Sequence, residues 1–271
     1  MGKRLEGKTI VITGASSGIG KSTAKEFART SPKNLRLILT ARRIDTLKEI
    51  AEEITKEVGE GVKVLPFKLD VSNPDEVRGF VENLPEEWRE IDVLVNNAYV
   101  STKLLRYWAN CCRGMVRGVA HAGSIAEEDI NTMFATNVTG LINMTQAVLP
   151  VFKKRPDGGA GDIINIGSIA GREPYQGGSI YCATKAAIRS FTDAMRRELI
   201  STRIRVMEID PGQVETVGLL RSSSQQMLTL SGILRCSVLR RQVKGQCRLC
   251  VSWGFGFILN RILILLADVI L

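Results

Sequence analysis

The sequence predicts an α/β fold with three layers, in which helices cover both faces of a doubly wound parallel sheet. From Lys8 to Pro211, short and nearly continuous apolar segments alternate with amphipathic helical stretches. Strands that are buried on both faces have this composition. The predicted strands are TIVIT, LRLILTA, VKVLPFKL, IDVLVN, DIINIG and RIRVMEID, and the predicted helices cover residues 18–30, 44–58, 73–84, 125–153 and 179–201.

The positive charge lies in two segments. The chain of 271 residues carries a formal net charge of +9, and residues 99–113 and 217–271 account for all of it, because the remainder is neutral. We therefore predict one large domain over 1–216, with an atypical insertion at 99–113, and an atypical basic and apolar tail over 217–271 without an assigned role. We expect neither a nucleic acid nor a membrane as partner. Arg261 and Asp268 interrupt the apolar C-terminal stretch and disfavour a membrane anchor.

The cysteines follow the same division. Five of the six lie in these two segments, and only Cys182 lies elsewhere. Scattered cysteines without a signal peptide indicate a reducing, cytoplasmic setting. Cys247 and Cys250 have the spacing of metal ligands, but a zinc site needs two more, and the one histidine, His121, is far away in sequence. We expect no metal.

A glycine-rich turn follows the first predicted strand. The segment TGASSGIG, residues 13–20, leads directly into a helix. Its glycines permit a tight turn and close approach of a pyrophosphate, which the helix N-terminus also attracts. We therefore predict a dinucleotide site, with cofactor contacts from Gly14, Ser16, Ser17, Gly18, Ile19 and Gly20.

The residues after the second strand indicate which dinucleotide binds. An acid there would take the ribose 2′-hydroxyl of NAD, whereas arginine accommodates the 2′-phosphate of NADP. This chain has Arg42 and Arg43 and no acid before Asp45. The predicted cofactor is NADP. A solvated basic turn is the alternative.

A tyrosine and a lysine suited to proton transfer follow the fifth predicted strand. Tyr181 and Lys185 are four residues apart and so share one face of a helix. A nearby ammonium favours the phenolate, so we expect Lys185 to lower the pKa of Tyr181 and make it a general acid and base. Ser168, at a strand's end, could hold the reacting oxygen.

These motifs, in this order, resemble the classical short-chain dehydrogenase/reductase family, whose pattern includes TGxxxGxG, NNAG, an asparagine, a serine and YxxxK. The resemblance covers about residues 7–216 and implies a Rossmann-type fold. The segment from Asp162 to Thr216 is similar, more narrowly, to NADP-dependent 3-hydroxy acid dehydrogenases of fungi and bacteria, which oxidise serine or allo-threonine at the 3-hydroxyl. The family often forms homodimers and homotetramers.

The resemblance also implies residue roles. Tyr181 looks like the catalytic acid and base, Ser168 like the donor to the substrate oxygen, and Lys185 like the group that tunes Tyr181 and contacts the nicotinamide ribose. Asn137 resembles the asparagine that orders a proton-relay water. The further cofactor contacts that the resemblance implies are Asp70 near the adenine, Asn97 beside its ribose, and Pro211, Gly212, Val214 and Thr216 at the nicotinamide. A cap or satisfied turn group is the alternative for each polar residue.

One segment departs from the family pattern. The chain has Asn96-Asn97-Ala98-Tyr99 where the family has Asn-Asn-Ala-Gly. Without residues 99–113 it would read VNNAGMVRGVAHAG, with Gly114 as the missing glycine. Back-translation of these residues accommodates a donor, a branch point and an acceptor of the fungal kind. Our hypothesis is that 99–113 is a translated intron, and a genuine lineage-specific insertion is the alternative.

The tail after Thr216 lacks the helix and the final strand with which the family closes its substrate pocket, as a second intron or a frameshift would explain. For the chain as written we therefore expect weak activity, an exposed sheet edge and a tendency to aggregate. Two alternative functions follow. The chain could bind the dinucleotide without turnover, or it could be a basic protein that binds nucleic acid or membrane surfaces through the two odd segments.

Overall fold

A computed structural model of the protein describes residues 5–99, 122–212 and 249–251. Strands and helices alternate along it. The strands are β1 (Lys8–Thr13), β2 (Leu35–Ala41), β3 (Val62–Lys68), β4 (Val93–Asn96), β5 (Ala160–Ile166), β6 (Arg203–Pro211) and β7 (Leu249–Val251). The α-helices are α1 (Gly18–Thr30), α2 (Ile44–Val58), α3 (Pro74–Arg78), α4 (Glu127–Phe134), α5 (Gly140–Lys153) and α6 (Ser179–Glu198).

The strands form one sheet in the order β3-β2-β1-β4-β5-β6-β7, and every pairing is parallel. Ile10 on β1 pairs with Leu37 on one side and with Val93 on the other. The strand order therefore reverses direction between β1 and β4. In doubly wound sheets ligands bind outside the carboxyl ends of the strands at this point.

Two apolar clusters sandwich the sheet, as the three-layer prediction requires. Successive strand residues point to opposite faces. Ile10 and Ile12 accordingly pack with Phe27 in one cluster, while Val11 packs with Phe152 in the other. All five side chains are fully buried. The predicted α/β fold is confirmed.

The predicted helices agree with the structure except in the third and at the end of the last, where α6 ends at Glu198 and not at 201. Residues 18–30 and 44–58 are helical as predicted, and the stretch predicted at 125–153 is continuously helical from 127. The helix predicted over 73–84 is wrong beyond Arg78. Asn73 caps α3 by accepting a hydrogen bond from the Asp75 N–H, but Gly79 ends the helix after five residues. Glycine favours helix ends, and the apolar spacing after it reflects buried turns.

The sheet edge at β6 also differs from expectation. We expected the chain to lack a final strand, yet Leu249–Val251 pairs with Ile209–Pro211 as the parallel strand β7. This strand covers only the carboxyl end of β6. The edge beside the predicted site is therefore paired, and the remainder of the tail lies outside the described residues.

None of the helices in the described part of the chain is both long enough and apolar enough to cross a bilayer. A search of the same residues finds no cluster of three or more His, Cys, Asp or Glu side chains that could hold a metal ion.

Candidate active site

The turn between β1 and α1 has no room for side chains at two of its glycines. Gly14 has a φ of +66°, and a Cβ there would lie 2.7 Å from the Ala98 Cα. A Cβ at Gly20 would lie 2.5 Å from the Asn97 Nδ2. The turn is therefore pressed against the end of β4, and its backbone is open to close approach from outside the sheet.

Asn97 holds the end of β4 against this turn. Its backbone N–H donates to the Thr13 Oγ1 at 2.9 Å, and its side-chain Nδ2 donates to the Thr13 carbonyl oxygen at 2.9 Å. The Asn97 Oδ1 is buried and has no hydrogen-bond partner among the described residues. The structure thus gives Asn97 a structural role, and its predicted contact with the ribose stays a prediction.

The rest of the turn connects with the end of β2. The Arg43 Nη2 donates to the Ser16 Oγ at 3.0 Å, and both Arg42 and Arg43 are exposed. Ser17 lies just before α1, but its side chain makes no capping hydrogen bond. Ile19, in the first turn of α1, is buried. The two arginines therefore lie beside the glycine turn, where a 2′-phosphate would be held.

Asp70 follows β3 and closes a turn. Its Oδ1 accepts hydrogen bonds from the Ser72 backbone N–H at 3.0 Å and from the Ser72 Oγ at 2.6 Å. Its own N–H donates to the Glu76 Oε2. This is the turn role that was the alternative for Asp70, and a contact with the adenine stays a prediction.

Ser168, Tyr181 and Lys185 come together at the carboxyl end of β5. A hydrogen bond joins the side chains of Ser168 and Tyr181. Lys185, one turn further along α6, is fully buried, and its Nζ donates to the Ile166 carbonyl oxygen at 2.9 Å. The same Nζ lies 5.8 Å from the centre of the Tyr181 ring. The arrangement places a phenol, a hydroxyl and an ammonium at one strand end.

The expected direction of the pKa shift of Tyr181 is wrong for the protein without ligands. Burial raises the pKa of Tyr181 above its ordinary value, and the hydrogen bond from Ser168 offsets only part of that increase. Burial also lowers the pKa of Lys185 to about 8, although Asp210 and Glu208 oppose the decrease. Sequence spacing put the two groups on one face, but it could not show that Lys185 is buried and Tyr181 partly buried.

Asn137 lies where the long helix of residues 127–153 widens. Ala135–Thr139 forms a single π-turn between α4 and α5. Asn137 is buried there, and its Nδ2 donates to the Thr184 Oγ1 on α6 at 3.4 Å. Such π-turns often occur at functional sites. The contact brings Asn137 to the helix that carries Tyr181 and Lys185.

The loop after β6 is described only at its start. Pro211 ends β6 and is buried, and Gly212 follows it. Val214 and Thr216 lie outside the described residues. Their predicted contacts with the nicotinamide therefore stay predictions.

Tyr99 occupies the position of the family's glycine. Its ring lies over the Lys185 ammonium, with 5.4 Å between the Nζ and the ring centre, and it is 37% exposed. Its phenol also contributes to raising the pKa of Tyr181. The first residue of the odd segment thus lies directly against the candidate catalytic groups.

A cluster of charged residues that was not predicted lies beneath Ser168. Glu208 and Asp210 lie on β6 and are both buried, and Arg172 lies beside them. The signal was present in VMEID, where two acids alternate with apolar residues near the end of β6. Charged side chains are rarely buried unless they are paired or functional, so two buried acids on one strand indicate such a role.

We expect Glu208 to make stability depend on pH. Burial raises its pKa from 4.5 to about 7. The folded protein therefore keeps this proton in a window where the unfolded chain loses it, and stability falls as pH rises through that window. Glu208→Gln should raise the free energy of unfolding at pH 8 by roughly 1–3 kcal/mol, with little gain at pH 4. Urea unfolding at both pH values measures this. The exposed Glu198→Gln is the control, and equal gains at both pH values would contradict the assignment.

Comparison with known proteins agrees with this geometry. A family model described as short chain dehydrogenase matches residues 8–227. The NADP-dependent 3-hydroxy acid dehydrogenase of Schizosaccharomyces pombe is 50% identical over 213 residues, which cover 79% of this chain and 74% of that protein. The NADP-dependent 3-hydroxy acid dehydrogenase YdfG of Escherichia coli K12 is 38% identical over 205 residues, covering 76% and 72%.

Solved structures give the same result. The closed form of a serine dehydrogenase complexed with NADP+ superposes with a TM-score of 0.62 at 37% identity, covering 77% of this chain and 73% of that one. An alcohol dehydrogenase from Thermococcus sibiricus, complexed with 5-hydroxy-NADP, gives a TM-score of 0.63 at 29% identity, covering 76% and 77%. The resemblance first seen in the motifs is confirmed, and this chain belongs to the short chain dehydrogenase family.

Proposed function

We propose that this chain is an NADP-dependent oxidoreductase that acts on an alcohol or carbonyl carbon, and that it oxidises the 3-hydroxyl of a small hydroxy acid such as serine or allo-threonine. The observation that carries the proposal is the junction of Ser168, Tyr181 and Lys185 at the carboxyl end of β5. The printed functions of the relatives from Schizosaccharomyces pombe and Escherichia coli support this substrate class.

The residues present fit a dinucleotide. The Gly14 turn leaves its backbone accessible, and side chains at Gly14 and Gly20 would collide with β4. Arg42 and Arg43 offer two exposed guanidinium groups beside it for a 2′-phosphate. When bound, the nicotinamide accepts or supplies the hydride. Ser16, Ser17, Gly18, Ile19, Asp70 and Asn97 complete the proposed surface, and Pro211, Gly212, Val214 and Thr216 are proposed to contact the nicotinamide.

The side chains handle the proton. In the oxidative direction the hydroxyl of the alcohol would lose its proton to the Tyr181 phenolate, while its carbon would give up a hydride to the nicotinamide, so that a carbonyl remains. In the reverse direction Tyr181 returns the proton to the oxygen. Ser168 donates a hydrogen bond to that oxygen, Lys185 stabilises the phenolate, and Asn137 holds the relay water. Because burial raises the pKa of Tyr181, the oxidative direction should gain from alkaline pH.

A turnover assay with a binding assay tests this proposal. The chain is mixed with NADP+ and either serine or allo-threonine, and NADPH absorbance is followed, while NADPH fluorescence reports binding. We expect both binding and turnover. Turnover should be weak because the Tyr99 ring lies over the Lys185 ammonium. Binding without turnover would favour the dinucleotide-binding alternative, and absence of binding would refute the proposal.

Arginine variants test which dinucleotide is preferred. Arg42→Ala and Arg43→Ala should each raise the Kd for NADPH about 10-fold, because each removes a charge-assisted contact with the 2′-phosphate. The Kd for NADH should not change. Arg36→Ala is the control, since Arg36 lies toward the opposite end of β2 and bonds to the Glu87 carbonyl oxygen. Equal effects on NADPH and NADH would assign the arginines to a solvated turn.

We also propose that residues 1–216 form the cofactor-binding domain, that the protein is cytoplasmic, and that it forms a homodimer or homotetramer. These proposals rest on the resemblance to the family, whose members often form homodimers and homotetramers. Light scattering on the eluting peak of a sizing column measures the oligomeric state, and a monomer would contradict the last proposal.

A further inference from the structure

The Asp210 carboxylate lies directly beneath the backbone of Ser168. Its Oδ1 accepts a hydrogen bond from the Ser168 N–H at 3.1 Å. Its Oδ2 accepts from Arg172, at 2.7 Å from the Nε and 2.6 Å from the Nη2. Asp210 is buried at the end of β6, whereas the Arg172 side chain is 21% exposed. Both carboxylate oxygens are therefore committed to groups that flank the catalytic hydroxyl.

The packing beneath Ser168 leaves this carboxylate little freedom. A Cβ added at Gly167 would lie 2.1 Å from the Asp210 Oδ1. The backbone thus approaches the carboxylate so closely that only glycine fits between β5 and Asp210. Because the Gly167 N–H is also bonded to the Ile209 carbonyl oxygen, the β6 strand end holds this turn at two adjacent points.

The same carboxylate lies near Lys185. The Asp210 Oδ1 accepts from the Ser168 N–H at 3.1 Å, and the Lys185 Nζ donates to the Ile166 carbonyl oxygen, two residues earlier, at 2.9 Å. Burial lowers the pKa of Lys185 to about 8, and Asp210 is the strongest of the groups that oppose the decrease. The other groups around the ammonium are Glu208 on β6, Tyr181 on the same helix and the ring of Tyr99. The Arg172 guanidinium pairs with the Asp210 Oδ2 at 2.6 Å, so a positive charge lies next to the carboxylate.

We propose that Asp210 is a positioning residue of this active site. One of its carboxylate oxygens fixes the Ser168 peptide, and its negative charge helps to keep Lys185 protonated. The positive charge of Arg172 weakens this second effect. The proposal deepens the proposed function and rests on it for its catalytic consequence. The charge coupling itself does not depend on turnover. Two separate experiments test these two halves.

The first experiment measures the pKa of Lys185 by NMR of protein labelled at the lysine side chains, with the Lys185 resonance identified from Lys185→Met. Asp210→Asn keeps an oxygen for the Ser168 N–H but removes the charge, and should lower the pKa by about one pH unit or more. Arg172→Gln should shift it in the opposite direction. Asp157→Asn is the matched control, because it breaks the exposed ion pair with Arg203 at the other end of β6.

The second experiment separates position from charge by kinetics. Asp210→Ala removes both the acceptor and the charge, and should lower kcat about 10²-fold at pH 6.5, where Lys185 is protonated, with the Kd for NADPH unchanged. In the reductive direction, Asp210→Asn should keep most of kcat at pH 6.5, but as the pH rises its activity should fall at a lower pH than that of the wild type. Thermal unfolding of each variant shows whether it is folded, and Asp210→Asn carries the kinetic test if Asp210→Ala is not.

The outcomes are distinguishable. An unchanged Lys185 pKa in Asp210→Asn, or shifts of the same sign in Asp210→Asn and Arg172→Gln, would overturn the charge coupling. A wild-type kcat in folded Asp210→Ala would overturn the positioning role. If the variants show the expected shifts of the Lys185 pKa but the wild-type chain does not turn over, the proposed function would be refuted and the coupling would stay intact.

Discussion

Replacing Tyr181 with phenylalanine is expected to lower kcat by about 10²- to 10⁴-fold, the contribution of a positioned general acid and base. The ring stays in place, so the Kd for NADPH should change little. The Tyr181 phenol is the group that Ser168 hydrogen-bonds, and burial shields it from competing water. Steady-state turnover combined with NADPH fluorescence measures both quantities.

Tyr175→Phe is the control for this substitution. Tyr175 is 41% exposed and lies near Tyr181. Its replacement removes a neighbouring tyrosine hydroxyl that has no assigned part in proton transfer. We expect little change in its kcat. Equal losses in the two variants would show that the site needs tyrosine hydroxyls for packing or solvation, and Tyr181 would then lose its assignment as the acid and base.

Removing residues 99–113, so that Ala98 is followed by Gly114, is expected to raise kcat/KM by about 10²-fold, since small displacements of a catalytic group can cost that much. The Ala98 Cα lies 2.7 Å from the Cβ position of Gly14, so the residue after Ala98 lies beside the glycine turn. Tyr99 there covers the Lys185 ammonium. A glycine would uncover it.

The single substitution Tyr99→Gly separates the ring from the rest of the segment. It should tighten NADPH binding and recover part of the gain, because it removes only the ring over Lys185. If the shortened chain is instead less active than the full chain, residues 99–113 are a working part of the enzyme, and the intron hypothesis would no longer be needed to explain them.

The origin of the segment has its own measurement. A messenger RNA sequence from the source organism, read across the codons for Asn97 to Gly114 and from Gln213 to the stop, tests the hypothesis directly. A message that joins Ala98 to Gly114 would make the shortened chain the natural enzyme. A message that encodes the segment would make Tyr99 a natural feature of the site.

Most of the sheet could be predicted because strands that are buried on both faces form nearly continuous apolar segments in the sequence. The segments LRLILTA and IDVLVN have few alternatives once helices flank them, and six of the strands were found. The short helix α3 was overestimated because its apolar spacing continues past Gly79. The strand Leu249–Val251 was missed because three residues are too few to show an alternation of apolar and polar side chains.

The candidate site could be predicted in its residues but not in its electrostatics. Tyr181 and Lys185 were assigned from their spacing, and the structure brings them to Ser168. The pKa values depend on burial, which spacing does not show. Asp210 acts through the Ser168 backbone, which lies 42 residues away in sequence, so no local pattern connects the two.

The pairing of β1 with β4 sets the order in which the molecule can be assembled. Ile10 pairs with Leu37 across one helix, but its partner on the other side, Val93, lies far along the chain. β1, β2 and β3 therefore leave the ribosome before β4 is made, and non-local pairing of this kind is slow. Until then the β1 edge is open to other chains. Asn97, which holds the glycine turn through Thr13, follows β4 in the chain, so the turn cannot reach its final contacts before β4 is in place.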